Sequence, residues 1–153
     1  MRLLTLLVCG LLGSPAMADG AGDASPTQGA AGKAKKGPEV TFAGFVSHDD
    51  GSSTVYVEVT ESVAVDVSQH ERTLTYTLRG AKVLLRNNRN PLLTRDFPSA
   101  VTSARLVPDK KAKSTKLVIE LREAVTPTHK MVSRGRGFAL EVNVPAPKTR
   151  PTP

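Results

Sequence analysis

Apolar and polar residues alternate strictly along two stretches of this chain. In the first, Val55, Val57 and Val59 fall on one side of an extended backbone while Tyr56, Glu58 and Thr60 fall on the other. In the second, Leu117, Ile119 and Leu121 alternate with Val118, Glu120 and Arg122. A period of two predicts strands with one buried and one wet face. Val63 to Val67, Thr73 to Leu78, Lys82 to Leu85, Thr128 to Val132 and Phe138 to Val144 are rich in β-branched residues and lack helical periodicity, so they predict further strands. Asp50 and Gly51 mark a hairpin turn, and the stretch DKKAKSTK from Asp109 to Lys116 marks its counterpart later in the chain. Arg134, Gly135, Arg136 and Gly137 predict a third turn, with glycine supplying positive φ.

The second half of the chain repeats the first. VTFAGFV from Val40 to Val46 lies over VTSARLV from Val101 to Val107, matching Val40, Thr41, Ala43 and Val46 with Val101, Thr102, Ala104 and Val107. TVYVEVTESV from Thr54 to Val63 lies over KLVIELREAV from Lys116 to Val125, and TLTYTL from Thr73 to Leu78 over GFALEV from Gly137 to Val142. The separation between copies widens only where turns fall, as loop insertions between retained strands would make it. Pattern and repeat together predict an all-β fold: a sandwich of two small antiparallel sheets built from two related half-units, their inward faces forming one core.

Composition divides the chain further. Residues 1–18 have the layout of a cleaved export signal: Arg2, an apolar run from Leu3 to Leu12, and the small-x-small site Ala16, Met17, Ala18. That run is about half the ~20 residues of a membrane span. Cys9, preceded by Val8 where a lipoprotein signal has a small residue, falls in the discarded leader, so the exported chain is expected to have neither disulfides nor thiolate metal sites. The expected location is the periplasm. Residues 19–38 contain no large apolar side chain and are expected to form a disordered linker. Residues 145–153, with Pro145, Pro147, Pro151 and Pro153, are expected to form an extended tail, which leaves 39–144 as the folded domain.

The segment from Val40 to Val144 resembles an AMIN domain, the envelope module found beside N-acetylmuramoyl-L-alanine amidase domains and at the start of type IV pilus secretins. The duplicated strand, hairpin, strand pattern carries the resemblance, together with the link between halves, NNRNPLLTRDFPSAVTSARLV from Asn87 to Val107. Leu92 or Leu93, Phe97, Ala100, Val101, and Ala104 with Arg105 match the short motifs of the family's link. The resemblance implies a two-part β-sandwich that binds peptidoglycan and localises attached machinery. No amidase or secretin domain accompanies it here, so a free accessory protein, or one recruiting a partner through tether or tail, is expected.

Charge indicates how such binding would work. The formal net charge is +7, there is no Trp, and Tyr56 and Tyr76 are single positions on strands, which argues against an aromatic sugar platform. Guanidinium groups pair bidentately with the carboxylates of wall peptides. Arg79, Arg86, Arg89, Arg95 and Arg105 concentrate around the link, beside Asn88 and its amide neighbours Asn87 and Asn90. The candidate ligand-binding residues are therefore Arg79, Arg86, Asn88, Arg89, Arg95 and Arg105, with Arg105 favoured because it matches the family motif. The expected partner, as the resemblance implies, is peptidoglycan or another anionic envelope polymer, and an adaptor role toward a secretin or amidase is the alternative. Export argues against nucleic acid despite the Arg-Gly-Arg-Gly tetrad. Lys110, Lys111, Lys113 and Lys116 form a cationic loop suited to a phosphate surface, or simply a soluble hairpin tip.

No nucleophile elbow, phosphate loop or metalloprotease motif is present, and His48, His70 and His129 are scattered. Glu58 and Glu120 occupy equivalent places in the two halves, but alternation puts them on the wet faces of separate sheets. A non-catalytic protein without cofactor or metal is expected.

Overall fold

The computed structural model describes residues 36–148. The expected leader, most of the expected linker and the end of the expected tail lie outside the described residues. The first half folds as β1 (Glu39–Ser47), β2 (Ser53–Val59), β3 (Val65–His70) and β4 (Thr73–Arg79). A strap follows, made of β5 (Lys82–Val83), a 3-10 turn (Arg86–Arg89) and β6 (Leu92–Leu93). The second half folds as β7 (Val101–Asp109), β8 (Ser114–Leu121), β9 (Thr128–Arg134) and β10 (Gly137–Val144).

These strands form an all-β sandwich of two five-stranded sheets, ordered β5-β1-β2-β10-β9 and β6-β7-β8-β4-β3. Exchanging β1 to β4 with β7 to β10 converts one order into the other. Each half thus contributes its first hairpin to one sheet and its second hairpin to the opposite sheet. The seams between halves are the central antiparallel pairings of β2 with β10 and of β4 with β8. The repeat therefore comprises four strands per half rather than three, and the halves interleave.

The correspondence extends to irregularities. A register shift falls between Val40 and Phe42 in β1, and an equivalent one between Val101 and Ser103 in β7. The skipped residues are Thr41 and Thr102, one of the matched pairs of the repeat. Each bulge returns the following Ala, Ala43 or Ala104, to the inward row opposite Val57 or Ile119.

Alternation fixes the core. Val55, Val57 and Val59 of β2 and Leu117, Ile119 and Leu121 of β8 are buried, joined by Leu74, Tyr76 and Leu78 of β4 and by Leu140, Val142 and Val144 of β10. Tyr76 is fully buried, and its ring meets that of His129 on β9 edge-on at a centroid distance of 5.3 Å. Gly51 at φ 84° and Gly135 at φ 59° supply the left-handed turn positions anticipated between β1 and β2 and between β9 and β10.

The strap closes one side of the sandwich. β5 runs parallel to β1, and buried Thr115 of β8 donates its hydroxyl to the Ala81 carbonyl at 2.8 Å, so the strap is fastened to both sheets. Farther along, Thr94 donates to the Val101 carbonyl at 2.8 Å and Phe97 packs on Phe45 at 5.3 Å between centroids. The strand expected over Lys82 to Leu85 is confined to Lys82–Val83, because the backbone then leaves β1 to make the 3-10 turn.

Candidate functional site

The six residues singled out in the sequence do not converge on one pocket. Arg79, at the end of β4, makes a two-pronged ion pair with Asp66 of β3, at 2.5 Å and 2.8 Å. That pairing holds the Asp66 carboxyl below its usual range. Arg105 lies on the outer face of the second sheet, 3.8 Å from Glu120. Asn88 works structurally: its amide donates to the Thr41 carbonyl at 2.8 Å, capping the backbone at the β1 bulge. Replacing Asn88 with Ala strands that carbonyl and is expected to cost about 1 kcal/mol of stability, measured as a shift in urea midpoint.

The remaining three arginines sit on the strap. Arg89 donates to the Val83 carbonyl at 3.0 Å. Arg86 and Arg95 are exposed, and neither side chain makes a hydrogen bond or ion pair among the described residues. From Gly80 to Arg95 the strap contains no Asp or Glu. It therefore presents a run of positive charge in which the heads of Arg86 and Arg95 have no partner among the described residues.

A cleft of about 260 Å³ opens between β5 of the strap and the β7–β8 hairpin. Ala81, Val83, Leu84 and Pro108 form its apolar lining, and Lys82, Arg89, Lys110 and Lys113 stand around it. Its acid is Asp109, which accepts from the backbone amides of Ala112 at 3.0 Å and Lys111 at 3.1 Å and meets Lys116 at 3.4 Å. These bonds, led by the Ala112 amide, hold its carboxyl below the usual range. Arg89 and the lysine hairpin are separate in sequence; the bond from Thr115 of β8 to the Ala81 carbonyl brings the strap beside the hairpin. The absence of acid from Gly80 to Arg95 was the available signal for Lys82.

On the outer face of the first sheet, Arg134 stacks over the Tyr56 ring at 4.9 Å and approaches Glu58 at 3.6 Å. Phe42 flanks Tyr56 at 5.9 Å. Tyr56 lies flat because Gly44 opposes it: a Cβ there would sit 2.5 Å from the ring. Glu58 and Glu120 lie in separate sheets, each beside its own arginine, and so form no acid pair. His48 bonds Thr54 at 3.0 Å, His129 packs on Tyr76, and His70 ends β3. Among the described residues no group of three or more His, Cys, Asp or Glu is placed to hold a metal ion.

No protein-family model matches the chain, and no curated protein matches it.

Proposed function

We propose that the chain is an exported, non-catalytic, AMIN-like module that binds peptidoglycan and so localises to the periplasmic cell envelope. The observation that carries this reading is the acid-free strap, whose Arg86 and Arg95 are exposed and unpaired. An extended polymer with carboxylates at intervals can lie along such a surface without entering a pocket, each guanidinium taking one carboxylate. The all-β sandwich of two five-stranded sheets is compatible with the two-part β-sandwich that the resemblance implies. Arg79 is assigned a lesser part, since Asp66 already occupies its guanidinium.

Pelleting with insoluble sacculi tests the reading. The protein is expected in the pellet at low salt, with Arg86→Glu/Arg95→Glu weakening association at least about tenfold and Arg79→Gln leaving it little changed. Recovery of the folded wild type wholly in the supernatant would overturn it.

A second reading, an adaptor for a pilus, secretion or wall-hydrolase protein, draws support from the sheet edges. β3 and β9 each pair on one side only, leaving a row of backbone donors and acceptors that an incoming strand can join. Pulldown from envelope extract with the 39–144 core, compared with the full chain, separates edge capture from capture by tether or tail.

A further inference from the structure

We infer that the cleft between the strap and the β7–β8 hairpin is a docking site for the phosphate headgroups of an anionic lipid bilayer. This inference does not rest on wall binding, because its determinants include hairpin lysines that lie outside the strap.

Charge comes first. Lys82, Arg89, Lys110 and Lys113 border the cleft, and none makes an ion pair among the described residues. The one carboxylate there, Asp109, is taken by two backbone amides and Lys116, so it neutralises none of the four. Such a surplus of cations calls for an anionic partner.

Apolar exposure then selects the kind of anion. Leu84 lines the cleft yet is 56% exposed, and Leu85 beside it is 59% exposed. Neighbouring leucines left in water at the rim of a cationic cleft gain nothing from a soluble phosphate or a hydrophilic glycan. Against a bilayer they can enter the boundary between headgroups and acyl chains while the lysines stay among the phosphates. Lysine suits this role, since its long apolar stem lets the ammonium remain at the headgroup level. The cleft floor of Ala81, Val83 and Pro108 continues the apolar surface inward.

Flotation of the exported chain, residues 19–153, with vesicles tests this. It is expected to float with phosphatidylcholine vesicles containing phosphatidylglycerol and to stay behind with phosphatidylcholine alone. Lys110→Gln/Lys113→Asn should lower partitioning roughly thirtyfold, as each basic residue near an anionic surface contributes about a factor of five. Asn is chosen because Lys113 has φ 48°, which Asn tolerates. Leu84→Ser/Leu85→Ser should also reduce flotation, and excess inorganic phosphate should compete poorly. Circular dichroism and an unchanged urea midpoint establish that the variants remain folded.

Equal flotation with both vesicle types, or none with either, would overturn the inference. So would full flotation of the lysine variant. Loss of binding to inorganic phosphate with no effect of the serine changes would reassign the cleft to a soluble phosphate. Pelleting the lysine variant with sacculi keeps the two readings apart, because wall association is expected to survive the change.

Discussion

Replacing Tyr76 with Phe is expected to stabilise the protein by about 1 kcal/mol, whereas Tyr76→Ala should destabilise it by about 3–5 kcal/mol. The ring is fully buried and packs edge-on against His129 of β9. Its hydroxyl, though, has no hydrogen-bond partner among the described residues. Phe keeps the packing and removes the desolvated oxygen, while Ala leaves a cavity the size of the ring.

The same oxygen gives the two proteins different alkaline limits. Burial disfavours the phenolate and pushes the Tyr76 pKa from 10.0 up to about 12. Because the folded-state pKa lies above the unfolded one, this group's contribution is complete below pH ~10 and is lost as the pH climbs toward 12. The loss amounts to about 2–3 kcal/mol, from 1.36 kcal/mol per pH unit. Urea midpoints measured across that window should fall more steeply for the wild type than for Tyr76→Phe. Parallel curves, or a Phe variant less stable at neutral pH, would mean that the hydroxyl has a partner.

Gly137→Val is expected to cost about 3 kcal/mol, the upper end for an overpacked site. Gly137 opens β10 where it passes β2, and a Cβ there would lie 2.5 Å from the Val59 carbonyl oxygen. That atom belongs to the backbone of a central strand, so the main chain itself must shift at the seam between the halves. Gly135, two residues earlier, is the control. A Cβ there meets nothing within 4 Å, and only its φ of 59° resists substitution, so Gly135→Ala should cost about 1 kcal/mol. Urea midpoints for the two variants would show whether crowding or conformation dominates; the reverse order would refute the assignment of Gly137 to a close backbone approach.

Much of this fold was legible in the alternation of β2 and β8, because each strand has a dry face and a wet one. The matched bulges at Thr41 and Thr102 follow from the repeat too, since equivalent backbones bend in equivalent places. The interleaving of the halves was not legible: alternation marks an inward face but carries no information about which sheet a hairpin joins. The short β5 was overestimated for a related reason. Val83 and Leu84 look alike as β formers, and only tertiary pairing with β1 stops the strand after Val83.

The candidate site was less readable still. Arg79 and Arg105 sat near the link in sequence, but the β3–β4 and β7–β8 pairings place acidic partners beside them. Lys82 and Lys113 are distant in sequence and border one cleft. Clustering along the chain is a poor guide to clustering in space wherever strands cross between sheets. Asn88 shows the limit from the other side, since its amide is consumed by the bulge carbonyl it caps.

The exchange of hairpins between sheets makes each half depend on the other. A polypeptide holding only β1 to β4 would have two hairpins with no strand to complete either sheet, so it could not exist as a stable monomer. Two such chains clasped reciprocally would complete both. Each half therefore supplies the strands that complete the other's sheets, through the β2–β10 and β4–β8 seams.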